Sequence, residues 1–194
     1  MIMFKSIVSL AVLTVSAVVA PRLAAQDNAA VAALAAESTA YCASTVNTSR
    51  STPPSVIIDK VNEACALLQK EGPAAYPKFS GKGSPFIYEG TYIAVQDLNT
   101  GETYVHPIQY KMVGQKLKNQ KDAKGKPVFV IMSSVVREKG EGWVEYDWPK
   151  PGTGEIVHKI SFVKKCTMSN GVDVVLISGL YNYSKDDVAK LELH

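Results

Sequence analysis

A single lysine inside an apolar strand-like run is the residue with the clearest chemical potential. Lys159 lies between apolar neighbours in residues 156–163. A carboxylate removed from water costs several kcal/mol unless a cation and hydrogen-bond donors meet it, and an inward-facing lysine would be that cation. The alternative is an ordinary strand lysine that extends to solvent or pairs with Glu145 across a hairpin. The run therefore predicts either an anion site or a solvated lysine.

The densest aromatic stretch, residues 140–151, contains both tryptophans of the chain. Alternate side chains of a strand point to opposite faces, which separates Trp143 from Tyr146 and Trp148. Glycines precede the run and two prolines end it, and proline cannot donate a hydrogen bond to a neighbouring strand. We therefore expect a strand that carries a large ring on each face.

Three tyrosines are the candidate hydrogen-bond donors for an anion at Lys159. The hydroxyl groups of Tyr92, Tyr146 and Tyr181 could meet the anion, with Trp143 or Trp148 as an apolar wall. Such a site would accept only a short ligand tail. Aromatic residues also dominate core burial, so at least one of these rings is expected to be core.

Histidine, aspartate and serine raise a competing, catalytic hypothesis. His106 is either a strand-end histidine that bonds the backbone or a ligand contact, and Pro107 sets its strand exit. With Asp97 it could form an acid–base pair, and Ser161 with His158 could form a nucleophilic pair of a small hydrolase. The sequence has no nucleophile elbow, metal motif or phosphate-cradling loop. We therefore expect no catalytic residues and no cofactor.

Composition indicates one domain with a core of its own. The chain has 194 residues, 46% of them hydrophobic, and a net charge of +3. Lysines gather over residues 111–126, but no arginine-rich run or stacking aromatic accompanies them. We interpret this segment as a solvated face and expect no nucleic-acid partner.

The N-terminus has the pattern of a secretory signal peptide. Lys5 precedes an apolar run at residues 7–20, and Leu23-Ala24-Ala25 provides a cleavage point before Gln26. The run is too short for a membrane-spanning helix, which needs about 20 residues. We expect residues 1–25 to be removed and the rest to be a soluble periplasmic or secreted protein without a membrane span.

Three cysteines fit an exported protein with one disulfide and one remaining thiol. Cys42 and Cys65 are the preferred pair, because both lie in the N-terminal helical region and could join its two halves. Cys166 would then be the free thiol. No two cysteines have metal-ligand spacing, and His106 and His158 are not clustered with them, so we expect no metal site.

Helical periodicity dominates the N-terminal part of the chain. A first helix is expected over residues 27–46, and the Pro53-Pro54 pair interrupts it because consecutive prolines cannot continue a helix. Ser55 then caps a second helix that extends to Glu71. The predicted apolar stripe of this helix consists of Ile57, Val61, Ala64, Cys65 and Leu68.

Strand periodicity takes over after a loop expected at residues 73–85. Residues 91–96 and 102–106 form a predicted hairpin, with Asp97 as the cap of its turn. Asp122 is expected to cap a second turn, ahead of a helix at residues 127–138. Three further strands are expected at residues 142–148, 156–164 and 172–180. This order predicts an α+β fold with helices packed against an antiparallel sheet.

An ordered set of short motifs extends from Tyr92 to Tyr181. They are Tyr92-Ile93-Ala94-Val95-Gln96-Asp97, His106-Pro107, Val113-Gly114, the Asp122 to Pro127 turn, Gly142 to Pro149, Lys159 with Phe162-Val163, and Gly179-Leu180-Tyr181. In this order they resemble the single Cache domains of the second type, extracytoplasmic sensor modules of bacterial chemoreceptors and kinases. The chain departs from the family at Gly171-Val172, where a glycine–tryptophan pair is common.

The resemblance implies a PAS-like antiparallel sheet with N-terminal helices and a covering helix and loops (the Cache fold). It also implies a pocket on one sheet face for a small organic anion, which favours the inward-facing interpretation of Lys159. The expected domain organisation is a signal peptide (1–25), an N-terminal helical segment (26–55), the Cache domain (56–183) and a tail (184–194). The expected ligand-binding residues are Lys159, Tyr146, Trp143, His106, Tyr92, Tyr181 and Trp148.

The function that follows from these expectations is non-catalytic binding of a small carboxylate or related metabolite in the periplasm. Family receptors carry a second membrane helix and an output domain, whereas this chain stops shortly after Tyr183. We therefore expect that it cannot signal by itself, and that its partners are a membrane sensor or a second copy of the chain. The alternative is an accessory subunit with a vestigial pocket, which binds a partner through its basic segment or N-terminal helices.

Overall fold

The computed structural model describes residues 19–46 and 52–183, with the backbone alone for residues 19–27. Most of the predicted signal peptide and the predicted tail at 184–194 lie outside these residues. Among the residues described, no helix combines the length and the hydropathy needed to cross a bilayer. The helices are α1 (Val19–Ser44), α2 (Pro54–Glu71) and α3 (Val128–Lys139). The strands are β1 (Ile87–Tyr88), β2 (Thr91–Tyr92), β3 (Ala94–Asp97), β4 (Thr103–Val105), β5 (Glu141–Pro149), β6 (Ile156–Thr167) and β7 (Asp173–Tyr181).

An antiparallel sheet of five strands in the order β4-β3-β7-β6-β5 is the centre of the fold. Strands β1 and β2 form a separate small hairpin. The predicted α+β class and PAS-like arrangement are confirmed. The long β5–β6 hairpin is also as predicted, with Pro149 paired to Ile156 at its end and the turn beyond.

Helix α2 forms as its sequence predicts, except at its first residue. The predicted stripe is buried along its length, and the helix ends at Glu71. The prediction that Ser55 caps it is wrong, because the helix begins at Pro54 and no side chain caps it. Proline suits the first helical position, where its missing N–H would have had no helical acceptor.

The segment 72–79 differs from the loop that the sequence predicts at residues 73–85. The predicted loop contains a 3₁₀ helix, Gly72–Phe79. Phe79 is fully buried and stacks on Phe86 with ring centroids 4.4 Å apart. Burial of this aromatic pair holds a proline-containing segment in helical turns that local propensity disfavours.

The two turn-capping aspartates are confirmed. The carboxylate of Asp97 accepts the backbone N–H groups of Asn99 (2.8 Å) and Thr100 (2.6 Å). Asp122 accepts those of Lys124 (2.9 Å) and Lys126 (2.8 Å). A second oxygen of Asp122 accepts the N–H of Asp147 in β5, which ties the segment before α3 to the sheet edge.

Two hydrophobic cores lie on opposite faces of the sheet. The α2 core contains Trp143 and Phe162, together with the buried stripe of α2. The α3 core contains Val144, Tyr146 and Trp148, together with buried residues of α3 and one from α1. The alternation along β5 is therefore as the sequence predicts.

The disulfide joins cysteines other than the predicted pair. Cys65 of α2 is bonded to Cys166 of β6, and Cys42 is a buried free thiol. The prediction of Cys42 with Cys65 is wrong because these residues belong to different cores. Cys42 of α1 lies in the α3 core, whereas Cys65 lies in the α2 core.

Candidate functional site

A small cavity lies inside the α3 core, against the sheet. Its volume is about 20 Å³, which is enough for about one water molecule. Aromatic and aliphatic groups form most of the wall, and one lysine and one histidine reach it. The lining residues are Tyr92, Ala94, His106, Phe129, Tyr146, Trp148, Lys159 and Ile177.

Strand register brings Lys159 into this cavity. Lys159 pairs with Tyr146 of β5 on one side and with Tyr181 of β7 on the other. Directly opposed residues of antiparallel strands project to the same face, so the three side chains meet. Close approach of β6 and β7 continues at Gly179, where an added Cβ would collide with the carbonyl oxygen of Ile160.

Lys159 is a buried cation surrounded by neutral groups. Its side-chain nitrogen bonds the hydroxyl of Tyr181 (3.0 Å) and lies 4.5 Å from the ring centroid of Tyr92. Only 2% of Lys159 is exposed, and this burial lowers its pKa to about 7. Among the described residues, no carboxylate forms an ion pair with it. The interpretation of Lys159 as a solvated lysine or a partner of Glu145 is therefore wrong.

His106 follows β4 and is held as a neutral imidazole. Its Nδ1 accepts the backbone N–H of Gln109 (3.0 Å), and its Nε2 lies 3.4 Å from the hydroxyl of Tyr92. A neutral ring that accepts at Nδ1 carries its proton on Nε2. Burial, and secondarily the charge of Lys159, lower the pKa of His106 to about 3. The ring can therefore donate a hydrogen bond at the cavity without adding charge.

The tyrosines around the cavity are also neutral donors. Burial raises the pKa of Tyr92 to about 12 and raises that of Tyr181 well above its ordinary value. Tyr146 shares a 3.0 Å hydrogen bond with Ser161, and burial raises its pKa as well. At neutral pH these hydroxyls keep their protons and can bond an anion or each other.

Six of the seven predicted ligand-binding residues come together. Five line the cavity, namely Tyr92, His106, Tyr146, Trp148 and Lys159. Tyr181 contacts Lys159 directly. Trp143 does not join them, because it projects into the α2 core and packs on Phe162 with ring centroids 5.3 Å apart.

Three apolar residues of the wall were not predicted from the sequence. Phe129 of α3 meets Trp148 edge to face with ring centroids 6.0 Å apart. Ala94 and Ile177 lie opposite each other on β3 and β7. Helical periodicity shows that α3 has an apolar face, but it does not show which of its residues covers a cavity.

The structure does not bring the candidate catalytic pairs together. Ser161 is fully buried and bonds Tyr146, whereas His158 is half exposed and faces Glu145 and Asp147. The carboxylate of Asp97 is occupied by its turn and by the hydroxyl of Tyr104 (2.7 Å).

A wider cleft lies on the other side of Trp148. Its volume is about 680 Å³, and it separates residues 109–123 from the end of the β5–β6 hairpin. Trp148 lines both spaces and is therefore the partition between the small cavity and the wider cleft. Within the part of the chain described, no group of three or more potential metal ligands is present.

The chain is similar to known Cache domains. The family model described as Single Cache domain 2 matches residues 69–190. The methyl-accepting chemotaxis protein McpP of Pseudomonas putida is 36% identical over 73 residues, which are 38% of this chain. The matched part is only 13% of that receptor's length.

Two solved structures share the fold. A Cache chemosensory domain, solved to explain carboxylic acid recognition, is 28% identical with a TM-score of 0.52, over 66% of this chain and 88% of that one. A methyl-accepting chemotaxis protein from Vibrio parahaemolyticus is 19% identical with a TM-score of 0.53, over 69% and 86% of the two chains. The second likeness concerns the fold alone.

Proposed function

The chain belongs to the Single Cache domain 2 family, and we propose that it is a non-catalytic sensor-type protein that binds a small carboxylate at Lys159. The observation that carries the proposal is a buried lysine with neutral donors around it and no described carboxylate beside it. A buried charge is costly unless it is paired. A ligand carboxylate would be the missing partner.

The proposed contacts follow from the chemistry of the cavity wall. One carboxylate oxygen would accept from Lys159, and the other would accept from His106 or from a tyrosine hydroxyl. The remaining wall of Phe129, Trp148 and Ile177 would cover a short apolar tail. With one cation at the site, a ligand with a single negative charge is favoured over a dianion, whose second charge would be buried without a partner.

The size of the cavity adds a conformational requirement. A volume of about 20 Å³ is too small for a carboxylate with its tail. Binding would therefore require a wider state, and the Trp148 partition next to the open cleft is the proposed place of opening. Movement there would enlarge the cavity without breaking the β6–β7 pairing that positions Lys159.

An extracytoplasmic location is part of the proposal. Disulfides persist in oxidising compartments such as the periplasm and are rare in the cytosol. The Cys65–Cys166 bond supports export, as does the signal-peptide pattern of residues 1–25. McpP, to which this chain is similar over 73 residues, is a methyl-accepting chemotaxis protein, so a membrane sensor or a second copy of the chain is the proposed partner.

Calorimetric titration at pH 6 with acetate, propionate, lactate, pyruvate and succinate would test the site. We expect a monocarboxylate to bind. We expect the change Lys159→Met to weaken that binding at least a hundredfold, because it removes the only cation among the described residues that line the cavity. Lys165→Met is the matched control, since Lys165 lies on the same strand and pairs with Asp173 at the surface. Equal affinity in the two variants would reject Lys159 as the binding group.

The small volume of the cavity also favours a second candidate, an accessory subunit whose pocket no longer binds a ligand. In that case none of these acids, nor amino acids, amines or nucleobases, would produce heat of binding or a thermal shift. Saturable binding of any of them that depends on Lys159 would exclude this candidate.

A further inference from the structure

The titratable groups around Lys159 come from some of the elements that surround it and not from others. Its titratable neighbours come from α1, β2, β5 and β7 and from the segment that follows β4. Helix α3 and strand β3 contribute only apolar residues to the cavity. These titratable neighbours are Cys42, Tyr92, His106, Tyr146 and Tyr181.

None of these neighbours carries a negative charge near neutral pH. Burial raises the pKa of the Cys42 thiol and of the Tyr92 hydroxyl to about 12. His106 is neutral, and its Nδ1 is occupied by the N–H of Gln109. An ammonium group at Lys159 is therefore uncompensated while the cavity is empty.

The contact with Tyr181 accommodates either protonation state of Lys159. An ammonium group donates to the hydroxyl oxygen across the observed 3.0 Å. A neutral amine at the same distance can instead accept a hydrogen bond from the Tyr181 hydroxyl, which keeps its proton. The hydrogen bond between Lys159 and Tyr181 is therefore kept when the lysine loses its proton, and the empty cavity can be neutral.

We propose that the cavity takes up one proton together with its carboxylate, so that Lys159 makes ligand affinity depend on pH. The inference rests on the proposed function, because the carboxylate is what makes the ammonium form favourable. The proton comes from solvent and adds to the amine nitrogen, and no covalent bond of ligand or protein is broken.

The pH range of the effect follows from burial. Burial lowers the pKa of Lys159 to about 7 in the empty protein, and an adjacent carboxylate raises it again. The apparent affinity scales with the fraction of protein that is competent to bind, which here is the fraction that carries the ammonium. Affinity is therefore high below pH 7 and falls as the pH rises through this value.

Titration of the wild-type protein with acetate between pH 6 and pH 8.5 tests the inference, with propionate, lactate or pyruvate as the probe if acetate does not bind. Binding is expected to weaken roughly thirtyfold over this range. At pH 8.5, titrations in two buffers of different ionisation enthalpy should show nearly one proton taken up per ligand. At pH 6 they should show about one tenth of a proton.

Two variants test whether Lys159 causes the pH dependence of ligand affinity. His106→Gln should keep the pH dependence, whatever its affinity, because His106 is already neutral above pH 6. Lys165→Met should behave as the wild type. Loss of the pH dependence in His106→Gln would overturn the assignment to Lys159. Equal affinity at pH 6 and pH 8.5 would overturn the inference and leave the proposed function standing. No binding of any of the four acids at pH 6 would overturn both.

Discussion

Lys159 determines the chemistry of the cavity and opposes the stability of the empty fold. Its ammonium group lies about equally far from two ring faces, 4.5 Å from the centroid of Tyr92 and 4.4 Å from that of Tyr181. Cation–π contacts of this kind contribute about 2 kcal/mol when desolvated. These contacts offset only part of the free-energy cost of removing the ammonium group from water, as the lowered pKa of Lys159 shows. A buried charged residue that destabilises its own fold is expected to have a functional role.

Replacement of Lys159 by methionine should stabilise the ligand-free protein, most strongly at low pH. The pKa of Lys159 falls from 10.5 in the unfolded chain to about 7 in the fold, so the unfolded state binds the proton more tightly. The destabilisation of the fold by Lys159 is complete below pH 7 and disappears as the pH approaches 10.5. We expect a gain in unfolding free energy on the order of 3–5 kcal/mol at pH 6, and less than half of it at pH 9.

Urea unfolding of wild type and Lys159→Met at pH 6 and pH 9 would measure this difference. Lys165→Met serves again as the control, because its surface pair with Asp173 is exposed and contributes at most about 1 kcal/mol. A gain from Lys159→Met that is the same at both pH values would show that the lysine does not titrate in this range.

At the scale of elements, the α2–β6 disulfide fixes one layer of the fold. Cys65 and Cys166 are both buried in the α2 core, 101 residues apart in the chain. Closing a loop of this length removes entropy from the unfolded state, for which the chain-entropy model gives about 4.7 kcal/mol. The bond therefore supports the face of the sheet opposite to the cavity.

The double change Cys65→Ala with Cys166→Ala should lower the unfolding free energy by about 3–5 kcal/mol without altering ligand affinity. The reason is that the bond constrains the α2 core, whereas the cavity lies in the α3 core. Denaturant titration with and without reductant provides the check. Reductant should destabilise the wild type and leave the double variant unchanged. A large loss of ligand affinity would show that the two cores are coupled.

At the scale of the whole molecule, the two cores share one sheet, and both should unfold together. Strands β6 and β7 contribute residues to each core. A ligand bound in the α3 core should therefore stabilise the complete domain rather than one layer of it. This cooperativity makes thermal unfolding a direct measure of binding.

A monocarboxylate at a hundredfold its dissociation constant should stabilise the protein by about 2.7 kcal/mol. For a domain of this size the melting temperature should rise by roughly 5–10 °C in a single transition. Differential scanning calorimetry at pH 6 provides the measurement. Lys165→Met should show the wild-type shift, and Lys159→Met should show none. An equal shift in both variants would move the binding site to another region, such as the open cleft beside Trp148.

Much of the candidate site was predictable because the strand register is regular from β5 through β6 to β7. Once β5, β6 and β7 pair without a bulge, Tyr146, Lys159 and Tyr181 must share a face. The inclusion of Trp143 among the ligand-binding residues disagreed with its own parity along β5, and the structure places it in the other core. Phe129 could not be predicted, because the rotation and position of α3 over the sheet depend on packing of the complete core.

The sequence alone determines what depends on near neighbours in the chain. It determines the period of each element, the turns capped by Asp97 and Asp122, and the α2 stripe, since backbone geometry and local hydrogen bonds decide them. The tertiary structure decided the cysteine partners, the absence of a described carboxylate beside Lys159, and the cavity volume of about 20 Å³. Each of these depends on distances between residues that are far apart in sequence. Only the packing of helices on both faces of the sheet sets such distances.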